Sequence, residues 1–135
     1  MIQDLKELTS NILETMFYLT EETEPLQMRS ELKYAVNIKN ATVDILLIFS
    51  EKTAKCMAEN FLGTDEITDH DIEDTLKEAI NIITGNFIRI NMNDKTTKIE
   101  IPQSIKPLTK IEHHKYETAS LYYKEEQLKI LLKMG

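Results

Sequence analysis

The sequence predicts an α+β fold, a two-layer sandwich in which two long helices pack on one side of an antiparallel sheet of about six strands, with an internal pseudo-duplication. Three observations lead there. Residues 2–18 and 68–92 repeat apolar residues at helical spacing. Shorter segments between and after them either alternate apolar and polar residues or run continuously apolar, as strands do. The order of elements in the first half also recurs in the second.

The first helix carries Ile2, Leu5, Leu8, Ile12, Leu13 and Met16 on one side. Thr20 to Pro25 is too polar and broken to continue it, and Pro25 points to a loop or a short edge strand. Leu32, Tyr34, Val36 and Ile38 alternate with polar neighbours and predict a half-buried strand. Asn40 marks a turn, and the dense apolar run Val43 to Phe49 predicts a central strand. A short helix from Glu51 to Leu62 ends at Gly63, a natural C-cap.

The long second helix opens at Thr68, an N-cap with Asp71 three residues on, close to a capping box, and runs to about Met92. Asn93 and Asp94 form the turn out. Lys98 to Ile101 predicts a short strand stopped by Pro102, and the loop through Pro107 is polar and exposed. Tyr116 to Lys124 and Gln127 to Met134 predict a closing hairpin around Glu125 and Glu126, although the turn lacks glycine. Ser10, Glu14 and Phe17 on the first helix line up with Asp74, Glu78 and Asn81 on the long one. VDILLIF and QLKILLKM share an ILL core. This matching order suggests a duplicated layout.

The chain has 135 residues, favouring one domain over 1–135; with 41% hydrophobic and 29% charged residues it belongs with globular rather than disordered chains. No apolar run reaches the ~18 residues that span a bilayer. The start, MIQDLKELTS, lacks a signal-peptide pattern. The lone Cys56 cannot form an internal disulfide and fits a cytoplasmic setting, most simply as a packing residue. A net charge of −7 with scattered lysines argues against a nucleic-acid surface. There is no Gly-rich phosphate loop, Cys-x-x-Cys, HExxH or nucleophile elbow. His113 and His114 are adjacent and on a strand would point to opposite faces, so no metal site is expected. Any chemistry falls to carboxylates and amides.

Those groups are arranged on the long helix. At 100° per residue, Asp74, Glu78, Asn81 and Gly85 fall within about 60° of one another. Ile72, Leu76, Ile80, Ile83, Phe87 and Ile90 cluster about 180° away and predict the buried side. The polar stripe thus faces outward, with a carboxylate and an amide one turn apart and a glycine one turn further on. A mid-helix glycine costs up to roughly 1 kcal/mol against alanine and suits close approach by another protein. Taken alone, a Glu-x-x-Asn pair on an exposed helix is usually no more than two solvated side chains.

Asp74-x-x-x-Glu78-x-x-Asn81, followed by Gly85-Asn86 and later Pro102, resembles the signature of the CheC/CheX family of chemotaxis phosphatases. The segment ILETMFYL is similar to the first helix of CheX-type members. The resemblance implies hydrolysis of the phospho-aspartate of a CheY-type response regulator in two-component signalling. It implies that Glu78 pairs with the regulator's active-site lysine and that Asn81 orients the attacking water. Asp74, Gly85 and Asn86 would contact the partner. No cofactor of its own is implied; Mg²⁺ would come from the response regulator. Two-site members carry Glu and Asn in both halves, whereas Phe17 stands at the second asparagine position, which is the single-site, CheX-like arrangement. CheX-type proteins also pair as dimers, implying a possible homodimer. The alternative is a non-catalytic adaptor that binds a regulator or a flagellar or signalling partner through the same face.

Overall fold

The structure, a computed structural model, describes residues 1–28, 31–92 and 100–135. Its elements run α1 (Ile2–Phe17), β1 (Leu32–Lys39), β2 (Val43–Ser50), α2 (Glu51–Leu62), α3 (Asp69–Asn91), β3 (Gln103–Ser104), β4 (Glu117–Tyr123) and β5 (Glu126–Met134). The strands form one antiparallel sheet of order β3-β1-β2-β5-β4.

The α+β class holds, with two differences in detail. Three helices, not two, pack on the sheet, because the short α2 also lies against β1, β2 and β5. The described residues form five strands rather than about six. Thr20 to Pro25 supplies a single bridge, in which the Glu22 N–H donates to the Tyr122 carbonyl at 2.8 Å. The short strand follows Pro102 instead of ending at it. Residues 93–99, which include the expected turn at Asn93 and Asp94 and the start of the expected strand at Lys98, lie outside the described residues.

β2 sits at the centre and all eight of its residues are buried, as its apolar run requires. Val43, Ile45, Leu47 and Phe49 enter the main core under the helices, whereas Leu46 and Ile48 face the other side. Across the middle of the sheet the two ILL segments pair directly, Ile45 with Leu132, Leu46 with Leu131 and Leu47 with Ile130. Each half therefore contributes one hairpin, and the hairpins join through their matching strands.

The second face is not bare. Ile111 joins Ala35, Leu46, Ile48 and Leu131 in a smaller cluster, with Leu32, Ile105, Leu108 and Tyr116 packed around it. The segment from Ile105 to Tyr116 thus covers this face through two short 3-10 turns, Leu108–Lys110 and His113–Lys115. The loop expected to be simply polar and exposed turns its few apolar residues inward.

Local signals account for most element ends. Asn40 Oδ1 accepts from the N–H groups of Thr42 and Val43 at 2.8 Å, closing the β1–β2 turn. Ser50 caps α2, and Gly63 ends it at φ 70°. The β4–β5 turn is centred on Lys124 (φ 50°) and Glu125 (φ 69°), one residue earlier than the sequence suggested. Two successive left-handed residues match the right-handed twist of a hairpin, a turn normally assigned to Asn-Gly.

Candidate functional site

The α3 stripe is anchored before it is used. Thr68 Oγ1 accepts from the Asp71 N–H at 3.1 Å, and Asp71 Oδ2 accepts from the Thr68 N–H at 3.0 Å, completing the capping box. These bonds hold the Asp71 carboxyl below its ordinary range, the backbone bond from Thr68 being the main cause. Tyr34 on β1 donates its hydroxyl to Asp69 Oδ1 at 3.1 Å. Burial and, next, that bond push the Tyr34 hydroxyl up. Lys106, just past β3, pairs with Glu73, and the bond to Glu73 raises the lysine above its usual value. Two polar contacts, Tyr34 with Asp69 and Lys106 with Glu73, thereby fasten the first turns of α3 to the side of the sheet.

Ile72, Leu76, Ile80, Ile83 and Phe87 are buried as expected. Ile90 is not: it is 62% exposed, and Ile88 is buried instead at 3%. Thr84, one turn before Ile88, is also fully buried. α3 packs on α1, α2 and β1, and a helix crossing several neighbours does not hold one face to the core along its whole length.

On the outer side, Asp74, Glu78 and Asn81 are all exposed. Glu78 and Asn81 stand three residues apart, so their side chains emerge one turn apart on the same side, roughly 5–6 Å between Cβ atoms. Among the described residues neither makes a hydrogen bond or ion pair. Asp74 does: its Oδ2 lies 3.1 Å from Nε2 of His70, one turn earlier. His70 was not singled out from the sequence, although its i,i+4 spacing from Asp74 was there to be read. Gly85 is half-buried one turn beyond Asn81. Asn86 lies at the flank, where its Nδ2 donates to the Ile82 carbonyl at 2.8 Å and its Oδ1 accepts from Arg89 at 2.6 Å.

The positions of α1 that match Glu78 and Asn81 do not form such a pair. Phe17 is fully buried with its ring centroid 5.4 Å from that of Phe61, and Asn60 donates to the Phe17 carbonyl at 2.8 Å. Ser10 donates to Glu21 at 2.9 Å, and Glu14 is exposed. Of the two matched triplets, Ser10–Glu14–Phe17 and Asp74–Glu78–Asn81, the one on α3 pairs an exposed carboxylate with an exposed amide.

Among the described residues, no group of three or more His, Cys, Asp or Glu is placed to hold a metal ion. His113 and His114 lie in a short 3-10 turn rather than a strand. His113 Nδ1 is 2.9 Å from Lys129 Nζ, and its pKa is lowered by burial and then by that ammonium. Among the described residues, no helix is long and apolar enough to cross a membrane.

On this α+β scaffold α3 thus offers the Glu78 carboxylate and the Asn81 amide to solvent, with the exposed Asp74 one turn earlier. The sequence profile of the family described as Chemotaxis phosphatase CheX matches residues 35–123, which include the whole stripe. That is more than half the chain, and the protein belongs to the CheX family. Its fold is similar to chemotaxis protein CheX from Vibrio vulnificus, with TM-score 0.71 and 19% identity over 99% of this chain and 95% of that one. CheX from Desulfovibrio desulfuricans gives TM-score 0.71 at 17% identity, covering 98% and 97%. The chain is also similar to a chain of the CheX–CheY–BeF3–Mg complex from Borrelia burgdorferi, with TM-score 0.68 and 16% identity over 98% and 96%. No curated protein sequence matches.

Proposed function

We propose that this chain is a phosphatase that hydrolyses the phospho-aspartate of a CheY-type response regulator, docking through the exposed stripe of α3. The observation that carries this reading is the pairing of Glu78 and Asn81, both exposed, on a helix whose first turns are tied to the sheet. Membership of the CheX family supports it, and the Borrelia relative was crystallised with CheY.

An acyl phosphate is already activated, so a phosphatase acting on it mainly positions water in line with the bond to be broken. Water oxygen attacks phosphorus, the P–O bond to the aspartyl carboxylate breaks, and inorganic phosphate and a free carboxylate leave. The Asn81 amide can accept a hydrogen bond from the water and donate one toward a phosphoryl oxygen without adding negative charge. An aspartate there would repel the phosphoryl group. Glu78 is the partner for a cation beside the regulator's phosphorylation site, its active-site lysine, and sets the depth to which Asn81 enters. A divalent ion supplied by the regulator would neutralise charge on the phosphoryl oxygens. Asp74, held by His70, and Gly85, where the helix is half-buried, frame the contact, with Asn86 at its flank.

Kinetics of a Mg²⁺-loaded phospho-regulator with the Asn81→Ala and Glu78→Gln proteins separate these roles. Asn81→Ala should lower the turnover rate with binding largely kept. Glu78→Gln should chiefly raise the regulator concentration needed for half-maximal rate. State-dependent binding of the regulator with no acceleration by the unmodified protein would make the chain an adaptor instead.

A further inference from the structure

The second face of the sheet carries a small cleft of about 210 Å³ between the sheet and the segment from Ile105 to Tyr116. Four lysines line it, Lys39 from β1, Lys133 from β5, and Lys110 and Lys115 from the covering segment. This concentration of cations occurs in a chain of net charge −7. We propose that the cleft is a binding site for a small multivalent phosphate-bearing anion, separate from the α3 stripe and independent of the phosphatase reading.

The carboxylates in the cleft are already engaged. Asp44 is buried and lies between two of the lysines in register, opposite Lys39 on one side and Lys133 on the other. Its oxygens accept from Asn37 Nδ2 at 2.7 Å and from the Tyr116 hydroxyl at 2.9 Å. Burial and then Asp44 push the Tyr116 hydroxyl up to about 12, so it remains a neutral donor. Glu112 pairs with Lys115 at 2.7 Å. Among the described residues, Lys39, Lys110 and Lys133 form no salt bridge. These three lysines line the cleft with hydrogen-bond donors not taken up by a salt bridge, although the bond to Lys115 and, less strongly, the nearby Lys133 hold the Glu112 carboxyl down.

Size and field select the ligand. The cleft is smaller than the ~300 Å³ at which drug-sized pockets begin, which suits one or two phosphoryl groups rather than a nucleotide. A strongly acidic chain repels extended polyanions such as RNA or an anionic membrane, whereas a compact phosphate can approach the local positive patch. Phosphoryl oxygens accept charge-assisted hydrogen bonds from several ammonium groups at once.

Calorimetric titration with pyrophosphate at low ionic strength tests the site, using the full chain, a Lys110→Gln/Lys133→Gln variant, and a Lys52→Gln/Lys55→Gln variant of equal charge. Lys110 and Lys133 are exposed, and unchanged circular dichroism and melting temperature confirm that their variant is folded. The proposal expects saturable binding by the unmodified chain that weakens about tenfold or more in the Lys110/Lys133 variant and hardly changes in the Lys52/Lys55 variant. No saturable binding up to about 10 mM would overturn it. So would equal weakening in both variants, which would mean that only net charge is felt.

Discussion

Phe17 and Asn81 occupy matching places on two helices, yet one is sealed in the core and the other stands in solvent. A phenyl ring there gives its helix packing, and an amide leaves its helix an exposed polar group. Phe17→Ala should cost about 3–5 kcal/mol in urea unfolding, the usual cost of emptying a buried aromatic position. Asn81→Ala should leave the unfolding midpoint nearly unchanged, since the side chain is exposed and makes no hydrogen bond among the described residues. The stripe itself was legible because a 3.6-residue period separates Asp74, Glu78 and Asn81 from Leu76 and Ile83 without reference to tertiary structure. The exchange of Ile90 for Ile88 was not legible. It depends on which neighbours cross the end of α3, and a helical wheel contains no neighbours.

α3 keeps the stripe in place through its first turns. Thr68→Ala removes one half of the capping box and should cost about 1 kcal/mol of stability in denaturant unfolding. The Asp71 half should show itself through pH. Its folded-state pKa is depressed, so the unfolded chain binds the proton more readily. The stabilisation is complete above the unfolded carboxylate's pKa and is lost as pH falls through the folded value. The melting temperature of Asp71→Asn should therefore lie below that of the unmodified chain at neutral pH and converge with it in acid. Thr68 and Asp71 could be read directly, as could Gly63, because capping is local chemistry. The β4–β5 turn was misplaced by one residue because Lys124 and Glu125 adopt left-handed angles with neither Gly nor Asn to announce them.

The sheet is the common support for two unlike surfaces. One side carries the three helices and the acidic stripe of α3; the other carries the Ile105–Tyr116 cover and the lysine-lined cleft. β2 revealed its central position through a dense apolar run, and the shared ILL segments, read as a sign of duplication, prove to pair with each other. The cover escaped notice because Ile105, Leu108, Ile111 and Tyr116 are isolated among polar residues with neither a period of 2 nor of 3.6. Its contribution to the core is measurable: Ile111→Ala should lose roughly 2 kcal/mol or more, as large-to-small changes at buried isoleucines do. A loss near zero would mean that the segment only rests on the sheet.

The phosphatase reading stands on a single amide placed in another protein's site. Its most direct test is the decay of a phosphorylated CheY-type regulator in Mg²⁺, alone, with this protein, and with its Asn81→Ala variant. Decay should accelerate with the unmodified protein, and the variant should forfeit about 10²–10³ of that acceleration, the range seen when one positioning or oxyanion group is removed. Equal acceleration by the two proteins would contradict the role given to Asn81.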